Sequence, residues 1–221
     1  MSDRDSLDFI SYIRENQETF LRLLTQHLQL TLYSVALGLL IALPLAVLAS
    51  RIGPLARPMT WLAAIGQTIP SLAVLALMLP LLGIGFQPSL FALTIRAILP
   101  IFLNAYVGIT NADQAVVDAA RGMGASNAQL LFMVEIPLAS PVLFAGIQTA
   151  TVQNIGLATL AAFIGGGGLG DLILQGLGTV NYPVLLAGAV PVALLAIGAE
   201  FGLGRLRRWV IPAGLQVGPG R

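Results

Sequence analysis

The chain has 221 residues, of which 57% are hydrophobic and only 10% are charged, and its mean hydropathy is +0.87. Soluble domains carry about 25% charged residues, so this composition excludes a water-soluble globule and indicates an integral membrane protein. The net charge of +1 argues against a nucleic-acid partner, and the lack of cysteine excludes disulfides, thiolate metal sites and thiol nucleophiles.

The first segment is polar and acidic. Residues 7–24 place apolar side chains at intervals that predict an amphipathic helix on the outer membrane interface, within an N-terminal region of residues 1–26. These positions are Leu7, Ile10, Ile13, Phe20, Leu21 and Leu24. The alternative is a short polar leader that runs directly into the first span. Because no basic stretch precedes an apolar core, we expect no cleavable signal peptide.

Five apolar segments follow, at roughly 28–50, 59–83, 88–110, 138–163 and 183–204. Each has about 20 residues or more, the helix length that crosses the hydrocarbon core. The sequence therefore predicts an all-α integral membrane protein with about five transmembrane helices in one domain, residues 27–205, and a cytoplasmic tail, residues 206–221. Prolines in or near these segments favour a transporter over a simple anchor: Pro44, Pro70, Pro80, Pro100 and Pro191.

The placement of arginine sets the predicted orientation. If the loop at residues 51–57 is cytoplasmic, seven arginines lie inside the cell, and the two outer loops between spans carry none. The seven are Arg51, Arg57, Arg121, Arg205, Arg207, Arg208 and Arg221. We therefore expect the N-terminus outside, the C-terminus in the cytoplasm, and residues 111–137 on the cytoplasmic face.

Residues 111–137, here called the polar segment, connect the third and fourth spans. Asp113 is placed to cap a first short helix with its carboxylate. Gly122 and Gly124 are expected to turn the chain with positive φ, and Ser126 with Gln129 has the pattern of a capping box that starts a second helix. The apolar face of these helices would fit a groove in another protein. Its residues are Val116, Ala119, Ala120, Met123, Leu130, Leu131 and Val134.

All eleven basic residues are arginine. A nucleotide-binding P-loop needs a lysine that reaches the β- and γ-phosphates, so this chain cannot contain one. Energy-requiring work would therefore depend on nucleotide chemistry in a partner protein.

The stretch DAARGMGASNAQLLFMVEIP, residues 118–137, resembles the EAA motif of permease subunits in binding-protein-dependent ABC importers. That motif usually reads E-A-A-x-x-x-G-x₉-I-x-L-P. The matching residues are Asp118, Ala119, Ala120, Gly124, Val134, Ile136 and Pro137. The resemblance implies a type I ABC importer permease whose polar segment is the coupling helix that docks into the ATPase. It places four further residues in that region: Arg121, Gly122, Ala125 and Glu135.

Longer stretches, over roughly residues 25–205, resemble permeases for glycine betaine, carnitine and choline. They are QTIPSLAVLALMLPLLGIG (67–85), AILPIFLNAYVGI (97–109) and IGLATLAAFIGGGGLGDLILQGL (155–177). Methionine- and phosphonate-type permeases carry similar glycine-rich runs, so a permease for one of those solutes is the alternative.

The resemblance also implies a set of partners in the plasma membrane of a bacterium or archaeon. Two ABC ATPase subunits would bind ATP and Mg, and a second permease subunit, identical or homologous, would complete the pathway. A separate extracellular or periplasmic binding protein would deliver the substrate. In this chain itself we expect no catalytic residue, metal ion or cofactor.

Four successive glycines stand at the predicted outer end of the fourth span. Such a run costs helix stability but lets backbones approach closely. One interpretation is a hinge in an outer gate, with LGDLILQGL forming a short helix over the mouth of a cavity. The other is a flexible outer loop. The gate residues would be Gly165, Gly166, Gly167, Gly168, Leu169 and Gly170.

Two charged residues each allow several interpretations. Arg96 lies about eight residues into the third span, where a charge costs roughly 2.5–3.5 kcal/mol on insertion scales. It either reaches the outer headgroups or lines the pathway. Glu135 is expected at the inner interface, where it pairs with Arg121, pairs with an ATPase residue, or stays solvated.

Quaternary amines are normally held by aromatic cages, and no cage is visible in a sequence with 7% aromatic residues. The candidate pathway residues are Tyr33, Pro70, Ser71, Asn104, Tyr106 and Phe163.

Two other classes of membrane protein fit less well. An intramembrane protease needs a nucleophile paired with a base, and the sequence has no G-x-S-x-G and a single histidine, His27. A secondary transporter needs intramembrane acids or inverted repeats, and the first three predicted spans contain no acidic residue.

Because the chain is free of cysteine, single cysteines test the predicted orientation. Ala125→Cys should react with a membrane-impermeant thiol reagent only from the cytoplasmic side, and Gln87→Cys only from outside. Labelling of intact cells and of inverted membrane vesicles measures both. The opposite pattern would reverse the topology.

Overall fold

The computed structural model describes residues 8–211. Residues 1–7 and 212–221 lie outside the described residues, and with them Leu7 and most of the predicted tail. The elements in chain order are α1 Phe9–Glu15, α2 Gln17–Arg51, α3 Gly53–Thr68, α4 Ser71–Leu82, α5 Phe86–Thr110, α6 Gln114–Gly122, α7 Asn127–Gln129, a π-helical turn Leu130–Glu135, α8 Ile136–Leu157, a 3-10 segment Ala158–Ile164, α9 Gly170–Gly178 and α10 Tyr182–Val210.

The predicted all-α membrane fold is confirmed in the described part of the chain. Four helical stretches there are long and apolar enough to cross a membrane, and the bent pair α3–α4 makes a fifth crossing if it counts as one span. The third predicted span agrees with α5 within two residues. The fourth is α8 continued by the 3-10 segment, and the fifth is α10, which extends through residues 206–210 of the predicted tail.

The second predicted span, 59–83, is wrong as a single helix. α3 ends at Thr68, Ile69 is extended, and α4 starts at Ser71 after Pro70, with an angle of 100° between the two helices. A proline disfavours helical backbone at the residue before it, so the chain bends at Ile69. The other prolines named above within spans remain inside continuous helices.

The predicted N-terminal helix is divided between two helices in the structure. α1 covers Phe9–Glu15, but from Gln17 onward the chain belongs to α2, which continues to Arg51. The apolar residues of α1 do not face only the membrane surface. Phe9, Tyr12 and Ile13 pack against a buried cluster formed by Leu23, Leu169, Leu172, Val184 and Ala187. With 35 residues, α2 is about 52 Å long, longer than the roughly 30 Å hydrocarbon core.

Small residues bring α2, α5 and α8 into close contact. The buried face of α2 includes Ser34, Gly38, Ala42, Ala46 and Ala49. A methyl group on Gly38 would lie 2.7 Å from Cβ of Ala97 in α5, and one on Gly146 in α8 would lie 2.6 Å from Cβ of Asn104. Because lipid is as apolar as the side chains, packing of this kind drives association of the helices.

A buried amide joins the same three helices. Asn154 of α8 is 1% exposed, and its Nδ2 donates to Ser34 Oγ in α2 at 2.8 Å and to the carbonyl oxygen of Leu93 in α5 at 3.0 Å. Such interhelical bonds contribute about 0.6 kcal/mol on average. Their main consequence is that they fix how the three helices align.

Gly38→Ala should destabilise the bundle, whereas Gly202→Ala should not. The methyl group at residue 38 has no room between α2 and α5, and overpacking costs about 1–3 kcal/mol. A Cβ at Gly202 in α10 would have no heavy atom within 4 Å, and alanine favours a helix over glycine by up to about 1 kcal/mol. Thermal unfolding of the detergent-purified chain should give a lower midpoint for the first variant only. Equal midpoints would contradict the close packing.

Candidate functional site

The polar segment begins with a capped helix. Asp113 Oδ1 accepts the backbone N–H of Ala115 at 2.9 Å, and α6 follows from Gln114 to Gly122. Gly124 has a φ of +89°, a left-handed conformation that costs other residues roughly 1–2 kcal/mol. Gly122 is the last helical residue and does not have a positive φ. Of the two glycines that we expected to turn the chain, only Gly124 does so.

The second helix starts as predicted. Ser126 Oγ accepts the N–H of Gln129 at 3.4 Å, and Gln129 Oε1 accepts the N–H of Ser126 at 2.8 Å, so the capping box is complete. After the single turn of α7, the chain passes through the π-helical turn into α8, with Pro137 in the first turn of α8. In a π-helical turn each hydrogen bond joins residues five positions apart instead of four. The turn therefore changes the direction in which the side chains of residues 130–135 point.

The polar segment has a buried and an exposed side. Four residues are buried in a cluster with Ala125 and Val134 of the same segment and Leu138 of α8: Ala112, Val117, Ala120 and Leu130. On the exposed side, Met123 is 84%, Met133 72% and Phe132 67% exposed. The predicted apolar face mixed the two sides, because Val116 and Met123 are exposed whereas Ala120 and Leu130 are buried.

Phe132 and Met133 were missed by the sequence reasoning, which assumed a regular α-helical period through the π-turn. Met133 lines a shallow cavity of about 330 Å³ in the polar segment, whereas Phe132 lines a separate groove beside α2. The lining residues of the cavity are Ala120, Met123, Gly124, Ala125, Gln129, Met133 and Val134. The other residues of the motif, Asp118, Ala119 and Arg121, are exposed on α6.

Glu135 has a partner that was not predicted. It is 5% exposed, and both of its carboxylate oxygens accept hydrogen bonds from Arg51 at the end of α2. Nη1 donates to Oε1 at 3.0 Å, and Nη2 donates to Oε2. Arg121, a predicted partner, instead pairs with Asp118 at 3.1 Å on the exposed side, where such pairs contribute little stability. No local pattern links Arg51 to a residue 84 positions away.

The glycine run, residues 165–168, lies at the opposite end of the bundle and is tightly packed. Gly165, Gly167 and Gly168 have φ of +71°, +77° and +84°. A methyl group on Gly166 would lie 2.2 Å from Ser89 Oγ, and one on Gly170 would lie 2.1 Å from a carbonyl oxygen in the 3-10 segment. The run is therefore a closely packed turn and not a loose loop.

The short helix expected after the glycine run is present as α9, and Leu169 before it is fully buried. Burial raises the pKa of Asp171 in α9, and the positive charge of Arg22 on α2 opposes that rise. The N–H of Gly85, just before α5, donates to the carbonyl oxygen of Ile164 at 2.8 Å. The start of α5 and the end of the 3-10 segment are thereby joined at this end of the bundle.

Two residues near the start of α2 also contact the glycine run. Gln26 Oε1 accepts the N–H of Gly168 at 3.4 Å, and a methyl group on Gly167 would lie 2.5 Å from the same oxygen. His27 is fully buried, and its Nε2 lies 3.0 Å from the carbonyl oxygen of Ile155 in α8. A methyl group on Gly168 would lie 3.2 Å from His27 Nδ1. Sequence reasoning had assigned no function to His27.

Arg96 makes contacts that the sequence did not predict. Its Nη1 donates to the carbonyl oxygens of Gly66 at 3.2 Å and Ile69 at 3.3 Å, with that of Gln67 at 3.5 Å. The last carbonyls of a helix lack partners within the helix, and a cation is favourable there. Arg96 therefore caps the end of α3 at its break.

The candidate pathway residues do not form one cluster. Tyr33 is 51% and Phe163 56% exposed, while Tyr106 stacks on Phe102 with ring centroids 6.3 Å apart. Asn104 Nδ2 donates to a carbonyl oxygen of its own helix at 2.8 Å. Pro70 and Ser71 lie at the break between α3 and α4. Among residues 8–211, no hydrogen bond or ring contact joins these candidates to one another, so their role in a pathway stays a prediction.

A bundle of long apolar helices with a capped helical turn exposed at one end defines a multi-pass membrane protein. The family model of the binding-protein-dependent transport system inner membrane component matches residues 34–212. The chain belongs to this family and is the permease subunit of an ABC importer in the inner membrane. ATP hydrolysis and substrate capture in such a system belong to partner proteins.

Three relatives are similar over nearly the whole chain. The choline transport system permease protein OpuBB of Bacillus subtilis is 41% identical over 94% of this chain and 95% of its own length. The carnitine transport permease protein OpuCB of Listeria monocytogenes is 40% identical with the same coverage. The osmoprotectant import permease protein OsmW of Salmonella typhimurium is 40% identical over 95% of this chain and 100% of its own length.

Solved structures show the same fold. An inward-facing structure of the MetNI methionine ABC transporter matches with a TM-score of 0.81 and 25% identity, over 90% of this chain and 99% of that chain. An amino acid ABC transporter matches with a TM-score of 0.71 and 21% identity, over 92% and 97% of the two chains. The predicted type I ABC importer permease fold is confirmed.

Gly124→Ala should weaken binding of the partner ATPase, whereas Gly122→Ala should not. Neither added Cβ would have a heavy atom within 4 Å, but only Gly124 has a positive φ. The strain of roughly 1–2 kcal/mol corresponds to about 5- to 30-fold weaker binding. Titration of the purified variants with the ATPase measures this. Equal affinities would show that docking does not need the turn.

Proposed function

We propose that the polar segment is the surface by which this permease docks into an ATPase subunit. The observation that carries the proposal is the exposure of two large apolar side chains, Met123 and Met133, beside one cavity on a capped turn whose other side is buried. Exposed apolar side chains on a rigid base are typical of the centre of a protein interface. Asp118, Ala119, Arg121 and Ala125 would border that contact.

The ATP chemistry would then lie entirely on the partner. The chain has no lysine for a P-loop, and residues 8–211 contain no group of three or more histidine or acidic side chains that could hold a metal ion. Two ATPase subunits would bind ATP and Mg. Their closure would shift the equilibrium between conformations of two permease subunits, which enclose one pathway.

The opposite end of the bundle would face the outside of the cell and receive the binding protein. Arg51, Arg57 and Arg121 all lie at or next to the polar-segment end, in agreement with the preference of arginine for the cytoplasmic side. The glycine run, with Leu169 and Gly170, would serve as the outer gate. Its close packing supports a gate that opens by separating from α2 and α5.

We infer that the substrate is a quaternary amine osmoprotectant such as glycine betaine, carnitine or choline. The support is that relatives with 40–41% identity over nearly the whole chain are named for choline, carnitine and osmoprotectant transport. The methionine transporter shares the fold at 25% identity, so a methionine-type solute is the less well supported alternative.

Reconstitution into proteoliposomes with the partner ATPase and binding protein tests this function. Labelled choline, carnitine or glycine betaine should accumulate only with ATP, and collapse of the proton gradient should leave the rate unchanged. Excess unlabelled methionine should not compete. Uptake that requires the proton gradient and not ATP would indicate a secondary transporter. Competition by methionine alone would indicate a methionine-type substrate in place of a quaternary amine.

A further inference from the structure

Arg51 and Glu135 each stand at the end of a helical element. Arg51 is the last residue of α2, and Glu135 is the last residue of the π-turn that leads from the polar segment into α8. The two terminal guanidinium nitrogens of Arg51, Nη1 and Nη2, donate to the carboxylate, and this paired geometry fixes orientation as well as distance. Since Glu135 is 5% exposed, its charge depends on Arg51 for compensation.

Side-chain packing between α2 and the polar segment is incomplete at this end. An apolar groove of about 570 Å³ lies between them. On one side it is lined by Leu43, Pro44, Val47, Leu48 and Ile52, and on the other by Ile109, Leu131, Phe132, Ile136 and Leu143. Arg51 also lines the groove, so the ion pair bridges α2 and the π-turn where apolar contact is open.

Helix α2 connects the two ends of the molecule. It is continuous from Gln17 to Arg51, and the 25 steps from Gln26 to Arg51 correspond to about 38 Å. Gln26 and His27 contact Gly167 and Gly168 of the glycine run. The helix α2 therefore provides a continuous covalent path from Arg51 to the residues that contact the glycine run.

We propose that the Arg51–Glu135 pair is a positioning link that transmits movement of the polar segment to α2 and, through α2, to the glycine run. This inference rests on the proposed function, because the movement originates in the ATPase. The two residues touch no substrate. They determine whether a displacement at one end of the protein is accompanied by a displacement at the other.

Charge reversal tests the link in the complete reconstituted complex. Arg51→Glu and Glu135→Arg each bring two like charges together, so ATP-driven uptake should fall at least tenfold, while basal ATP hydrolysis changes less than twofold. The double variant Arg51→Glu/Glu135→Arg restores opposite charges and should return uptake to within threefold of the wild-type rate. Arg57→Glu makes the same charge reversal at an exposed position in α3; it is the matched control, and its uptake should stay within twofold of the wild-type rate.

A cysteine reporter separates coupling from a merely structural role. In an otherwise wild-type complex, Leu177→Cys on α9, where the native side chain is 59% exposed, should change its labelling rate at least threefold when ATP is added. In the Glu135→Arg background the same cysteine should show no response to ATP although ATP is still hydrolysed. Loss of assembly or of basal hydrolysis in the single variants would indicate a structural pair and overturn the proposal.

Two further results would also overturn the link. One is uptake by either single variant above half of the wild-type rate, and the other is a double variant that assembles normally but transports no better than the single variants. If the wild-type complex itself failed to accumulate substrate with ATP, the proposed function would be refuted. The link alone would be refuted if the wild-type complex transported substrate and the charge-reversal variants transported it equally well.

Discussion

Close backbone contact between small residues is the interaction on which the rest of this structure depends. Apolar side chains gain no hydrophobic free energy when they exchange contacts with lipid for contacts with each other. Helices therefore associate where their surfaces fit most closely. Gly38 against Ala97 and Gly146 against Asn104 provide such a fit, and Asn154 adds a polar bond between the same helices. The resulting core of α2, α5 and α8 holds the polar segment at one end and the glycine run at the other.

The two ends use the same core in different ways. The polar segment has a buried base and presents large, flexible methionines outward, which suits a surface that binds another protein. The glycine run has almost no side chains and lies directly against Ser89, Gln26 and His27. Because α2 contributes to both ends, the proposed docking surface and the predicted gate share one continuous helix.

Features that depend on neighbouring residues were predictable from the sequence. The capping box at Ser126, the helix after the glycine run and four of the five spans follow from local periodicity and capping chemistry. The bend at Ile69 was not, because hydropathy treats Pro70 and Pro100 alike although only Pro70 ends a helix. The partners of Glu135 and Arg96 could not be predicted either, because they belong to helices that are distant in the sequence.

Arg96 has a consequence for how the protein is made. Exposed carbonyls are expensive in hydrocarbon, and those at the end of α3 are bound by a side chain that follows them by roughly thirty positions. During synthesis, residues 53–82 therefore reach the bilayer before the guanidinium that stabilises their bend exists there. The hydrogen bonds that close the end of α3 can therefore form only after α5 has arrived beside it.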